Sequence, residues 1–104
     1  MPIILVVAVG KEPQVAVIED ALEVQQAIVG GYIESIRAAQ DVSIICNEEG
    51  LVYDLPRNRK WNGVYLRGAF FVMRHGRGEL TDLTPEDITH YKQVFANVHP
   101  PTED

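Results

Sequence analysis

Apolar residues along this chain fall into short runs broken by polar punctuation, with helical spacing in only two places. Residues 3–9 (Ile3, Ile4, Leu5, Val6, Val7, Ala8, Val9) form an unbroken aliphatic run of strand composition, reading as a buried central strand. Gly10-Lys11-Glu12-Pro13 reads as a turn, and residues 14–18 as a second strand that completes a hairpin. Asp20 with Glu23 three positions on has the form of a capping box, and Ala21, Val24, Ala27 and Ile28 share one helical face. Gly30-Gly31 ends that helix, because the residue after a helix often turns left-handed. Residues 32–36 predict a third strand, with Ala38-Ala39-Gln40 leading into a fourth at 41–46, where Val42, Ile44 and Ile45 are β-branched. Asn47-Glu48-Glu49-Gly50 has turn chemistry, and the apolar residues after it predict a return strand over 51–54. The expectation is therefore a hairpin over 41–54 with Glu48 and Glu49 at its tip.

Past Pro56, which stops a strand or confines it to an edge, residues 55–63 read as a polar loop. Residues 64–73 predict the longest strand, with Val64, Leu66, Phe70 and Val72 on one face. Gly68 interrupts that face, as a bulge or a close backbone approach does. Residues 74–79 read as a loop with two glycines. Thr84-Pro85-Glu86-Asp87 then supplies an N-cap, a proline at the first helical position and acids in the first turn. Leu83 and Ile88 are placed for a hydrophobic staple, and Ile88, Tyr91, Phe95 and Val98 form the apolar stripe of a helix over 84–97. The order ββαβββα predicts an α+β fold: a mostly antiparallel sheet with two helices covering one face or its ends. One domain over residues 1–98 with a frayed tail at 99–104 is expected.

Composition narrows the functional classes. Nine basic against fifteen acidic residues give a net charge of −6, which disfavours general nucleic-acid binding because the phosphate backbone repels it. A local basic patch is not excluded. A single cysteine, Cys46, allows no internal disulfide and points to a reducing, cytoplasmic setting, with Cys46 as a small core residue. The hydrophobic start is too short for a membrane span. Short apolar edges and the aromatic-rich stretch 65–71 predict a homo-oligomer.

Candidate chemistry concentrates in the middle of the chain. Arg57, Arg59 and Lys60 hold three of the nine basic residues, with Asn58 among them and Trp61 beside them. An arginine fork suits phosphate or carboxylate, an asparagine can read a ligand edge, and tryptophan offers a stacking face. Asn47 and Glu48, from the preceding turn, join Arg57, Asn58, Arg59 and Trp61 as the candidate binding set. Their meeting requires a doubling-back loop or a second subunit, because a return strand carries the chain away from the turn. Intramolecular pairing of the arginines is the competing reading. Adjacent Glu48 and Glu49 face opposite ways in an extended strand and converge only in a turn. His75, His90 and His99 lack metal-ligand spacing, and Ser35 and Ser43 lack the surroundings of a nucleophile. No catalytic set, metal or cofactor is indicated.

Gly10-Lys11-Glu12-Pro13, Val29-Gly30-Gly31-Tyr32-Ile33-Glu34, Cys46-Asn47-Glu48-Glu49-Gly50 and Leu55-Pro56-Arg57-Asn58-Arg59 occur in order. Together they resemble a family of small uncharacterised proteins carried by bacteriophages, plasmids and other bacterial mobile elements. The resemblance spans residues 5–74, and it implies a cytosolic, mobile-element context with no assigned reaction. The leading reading is a non-catalytic binding protein that recognises a host protein or an anionic, nucleotide-like ligand. A small hydrolase using Glu48, Glu49 or His75, and an acidic DNA mimic that inhibits host enzymes, are the alternatives.

Overall fold

The computed structural model describes residues 1–98. The expected tail at 99–104 lies outside the described residues. The chain runs β1 (Ile3–Val7), β2 (Gln14–Val17), α1 (Leu22–Val29), β3 (Ile33–Ala39), β4 (Val42–Asn47), β5 (Arg57–Trp61), β6 (Val64–Arg67), β7 (Phe70–Gly76), β8 (Glu79–Thr81) and α2 (Pro85–Val94). The fold is α+β and every strand pairing is antiparallel.

Among the described residues, six strands make the main sheet, in the order β2-β1-β7-β4-β3, with β8 paired to β7 beyond β1. β5 and β6 form a separate two-stranded ribbon. Strand periodicity divides the aliphatic runs between two faces. Leu5, Val7, Val42, Ile44, Cys46, Phe70 and Val72 face one core with Leu66 of the ribbon and Tyr91 and Phe95 of α2. Ile4, Ile45 and Phe71 face a second core with Val29 of α1 and Leu80 of β8. The helices thus lie on opposite faces of the sheet, not together on one face. This explains why β4 is buried along its whole length and reads as a continuous apolar run.

Three expectations fail for one reason: polarity stood in for structure. The 41–54 hairpin does not form. β4 pairs with β3 on one side and β7 on the other, which leaves no place for a return strand. Residues 51–54 are instead a tight turn, closed by Tyr53 N–H to the Glu49 carbonyl at 3.0 Å and Leu55 N–H to the Gly50 carbonyl at 2.9 Å. The expected polar loop contains β5, paired with β6 through Arg57↔Arg67, Lys60↔Tyr65 and Trp61↔Val64. The expected loop after Met73 continues β7 to Gly76 and turns at Arg77 and Gly78, both at positive φ as in the tight turns of hairpins.

Smaller differences follow the same logic. The expected long strand over 64–73 is two strands, broken at Gly68, whose φ of 76° strains any residue with a side chain and where an added Cβ would meet Leu55 Cδ1 at 2.9 Å. α1 is capped by Ala21 without a side-chain hydrogen bond, because Asp20 accepts from Leu80 N–H at 3.4 Å and serves β8 instead. β3 runs on to Ala39, so the turn falls at Gln40 and Asp41, the latter with φ of 64°. α2 starts as its sequence dictates: Thr84 and Asp87 form a reciprocal capping box with Pro85 at the first helical position.

Candidate functional site

β5 has a register shift between Arg57 and Arg59, and this bulge turns both Asn58 and Arg59 inwards. Asn58 is fully buried: its amide donates to the carbonyls of Val7 at 2.8 Å and Gly68 at 2.9 Å. Its Oδ1 accepts from Arg59 Nη1 at 2.7 Å. Arg59 is 2% exposed and its fork is consumed within the protein. Nε donates to the Phe95 carbonyl at 2.8 Å and Nη2 to the Lys11 carbonyl at 2.6 Å. Phe95 caps the C-terminal end of α2, where exposed carbonyls favour a cation. Burial lowers the Arg59 pKa, and neutral oxygens, backbone carbonyls and the Asn58 amide, receive its charge. Asn58 and Arg59 therefore bolt the ribbon to β1, to the first turn and to α2, and they present nothing to a ligand.

Their neighbours differ. Arg57 lies 4.6 Å above the Tyr65 ring, and Lys60 Nζ is 5.5 Å from the same ring. Trp61 rests on Phe95 with ring centroids 5.8 Å apart, so its stacking face is used internally. Its buried Nε1 has no hydrogen-bond partner among the described residues.

Asn47 is also structural. Its Nδ2 donates to the Val29 carbonyl at 3.1 Å and its Oδ1 accepts from Glu49 N–H at 2.8 Å. A Cβ on Gly31 would stand 2.9 Å from that Nδ2, so the glycine after the helix is required for asparagine to reach it. The Gly30-Gly31 and Cys46-Asn47-Glu48-Glu49-Gly50 motifs meet here. Glu48 projects to solvent while its N–H donates to the Tyr32 carbonyl at 2.8 Å.

This junction carries the 51–54 turn outward between two grooves. One, of about 480 Å³, lies between the β3–β4 end of the sheet and the ribbon, with Ile36, Cys46 and Leu66 in its lining and Glu34, Glu48 and Arg67 among its charged groups. The other, of about 470 Å³, includes Gln26, Gly31, Tyr32, Asn47 and Tyr53. Asn47 and Glu48 thus share a groove with Tyr65 and Arg67, whereas Arg57, Asn58, Arg59 and Trp61 do not line it. Burial first, and then the charge of Glu34, push the Cys46 thiol up to about 11, which makes it unreactive.

The turn itself is the feature that sequence reasoning missed. Leu51 is 75% exposed, Val52 77% and Tyr53 66%, and Tyr32 nearby is 65% exposed. Three consecutive large apolar residues looked like a strand. The available signal was their position directly between the turn residue Gly50 and Asp54-Leu55-Pro56, turn chemistry on both sides.

The hydrolytic set does not assemble. His75 N–H donates to the Asp41 carbonyl, just before β4, whereas Glu48 and Glu49 follow its other end. Six strand residues place them roughly 20 Å apart. His75 instead meets Ser43, with Nε2 and Oγ at 3.2 Å. Ser43 is 5% exposed in a strand paired on both sides, and no described cavity opens onto it. Among the described residues no group of three or more His, Cys, Asp or Glu could hold a metal ion. The DNA-mimic reading is weakened because residues 55–78 carry six of the nine basic residues and no Asp or Glu. No helix of the described residues is long and apolar enough to cross a membrane.

A family model described as "Domain of unknown function (DUF3846)" matches residues 1–96. No curated protein and no solved structure match the chain.

Proposed function

We propose that this chain, which belongs to the DUF3846 family, is a non-catalytic binding module that takes hold of another protein through its 51–54 turn. In a mobile-element setting the partner is a protein of the host cell, met in the cytosol. One observation carries this reading: Leu51, Val52 and Tyr53 are held out in solvent by a turn closed at its base by backbone hydrogen bonds from Tyr53 to Glu49 and from Leu55 to Gly50. An apolar cluster exposed on an anchored loop costs solubility and contributes nothing to either core, and such clusters mark interaction sites. Tyr32 adds a second aromatic anchor beside it, and aromatic residues dominate the energetics of protein interfaces.

The anionic-ligand reading loses its principal residues, since Asn58 and Arg59 are spent on internal hydrogen bonds. The test is retention from host cytosol. Native mass spectrometry of the wild-type chain is expected to show a stoichiometric protein partner. Leu51→Asp and Tyr53→Asp each remove that partner and leave the circular dichroism melt unchanged, because the replaced side chains are exposed. Retention of the same partner by both variants, or recovery of only a small anion, overturns the reading. A second copy bound through the turn registers as a dimer lost in the same variants.

A further inference from the structure

β3 is an edge of the main sheet, with no described strand beyond it. Its pairing with β4 shows which backbone groups remain free. Glu48 N–H donates to the Tyr32 carbonyl, and the register continues Glu34↔Cys46 and Ile36↔Ile44. In an antiparallel ladder, alternate residues direct their backbone groups to the partner strand, so Tyr32, Glu34 and Ile36 face β4. Ile33, Ser35 and Arg37 then direct their N–H and C=O groups outward, at a spacing that a new strand can use. The register shift between Arg37 and Ala39 limits the usable edge to residues 33–37.

Natural edges are blunted by proline, by shortness or by cover. The opposite edge, β2, is four residues long and begins directly after Pro13. β3 is seven residues long and contains no proline. It also borders the 480 Å³ groove, to which Glu34 and Ile36 contribute, and β2 borders neither of the two larger grooves.

We propose that the partner protein adds an extended, basic strand to the free edge of β3, with alternate side chains entering the groove floored by Ile36, Cys46 and Leu66. This rests on the reading of the chain as a protein-binding module, and it names the form and charge of what is bound. Main-chain hydrogen bonds to residues 33–37 supply the register, and the apolar groove accepts every second side chain. Charge selects the partner. Glu34 and Glu48 are exposed at the groove, and among the described residues neither forms a salt bridge. Arg67 there is engaged by Asp54 at 3.3 Å. Glu34 shares its face of β3 with Ile36, so lysine or arginine two residues before or after the groove-facing apolar ones, on the same face, meets those carboxylates, and the net charge of −6 draws such a segment in.

The probe is a short fluorescent peptide in which every second residue is serine and the residues between them run lysine, valine, valine, lysine, so that its lysines and valines share one face; it is tested by anisotropy against the full chain. Saturable binding is expected, weakened at least about tenfold for the peptide with glutamate in place of lysine, for Glu34→Lys, for Ser35→Pro and for the lysine peptide N-methylated at alternate residues. Proline at Ser35 removes an outward N–H and leaves the β4 ladder intact. Should that variant misfold, Glu34→Lys and the methylated peptide still decide. Equal binding of the glutamate peptide or of the methylated peptide overturns the proposal. So does a dimer in sedimentation that Ser35→Pro dissolves, which gives the edge to a second copy. Loss of the cytosolic partner in Leu51→Asp with no effect of Ser35→Pro or Glu34→Lys on its retention leaves the binding module standing and removes the added strand.

Discussion

Arg57 and Arg59 are two residues apart, yet the bulge between them gives them opposite fates. Arg59 donates to the Phe95 carbonyl at 2.8 Å, the Lys11 carbonyl at 2.6 Å and Asn58 Oδ1 at 2.7 Å. Removing the guanidinium leaves the buried Phe95 carbonyl and Asn58 Oδ1 without this donor, so Arg59→Ala is expected to lose about 2–4 kcal/mol in urea denaturation. Arg57→Ala gives up only a half-exposed cation–π contact and is expected to stay within about 1 kcal/mol of wild type. Equal effects of the two substitutions would refute the structural role of Arg59. Cys46 makes a second test at this scale. With the thiol near 11 and 4% exposed, the native protein is expected not to react with a disulfide reagent at pH 8, and to react fully once denatured. Rapid labelling of the folded protein would show that the groove floor opens.

At the scale of elements, α2 is fastened at both ends. Arg59 donates to the Phe95 carbonyl at its C-terminal end, and at the other end Arg74 of β7 grips Asp87 with Nε to Oδ2 at 2.7 Å and Nη2 to Oδ1 at 2.9 Å. Asp87 also accepts from Thr84 N–H within the capping box. The hydrogen bond from Arg74 comes first, helped by those to Thr84, in lowering the Asp87 carboxyl from 3.8 to about 2. A carboxyl depressed on folding stabilises the protein above its unfolded pKa, and that stabilisation disappears as pH falls through the folded value. Wild type is therefore expected to lose about 1 kcal/mol, after solvent screening, between pH 4 and pH 2 from this group alone. Asp87→Asn lacks that part of the acid slope. Parallel stability–pH curves for the two proteins in this window would contradict the assignment.

At the scale of the whole molecule, one sheet is shared by two cores. Phe70 and Phe71 are adjacent in β7 and fully buried, one toward α2 and the ribbon and the other toward α1. Neither face can be lost without exposing the back of the other, so unfolding is expected to be a single cooperative transition. Trp61 reports the ribbon side and far-ultraviolet circular dichroism reports the sheet. Their urea midpoints are expected to coincide, and a separate earlier Trp61 transition would show that the ribbon melts on its own.

The sequence by itself determined the features that local chemistry settles. Thr84-Pro85 with Asp87 can start a helix in almost any surroundings, and Gly30 can end one because its left-handed conformation needs no partner elsewhere. The aliphatic runs of β1 and β4 were legible because strands buried on both faces are apolar throughout. Tertiary structure decided the rest, because side-chain polarity does not report backbone pairing. Arg57-Asn58-Arg59-Lys60 looked like a loop, yet it is a strand whose polar groups find carbonyls from Lys11 and Val7, and from Phe95, 36 residues further on than Arg59. Leu51-Val52-Tyr53 looked like a strand, yet both edges of β4 were already taken by β3 and β7. Whether a polar residue is a site or a bolt, and whether an apolar one is core or contact surface, depends on which distant chain segment meets it. No local pattern carries that information.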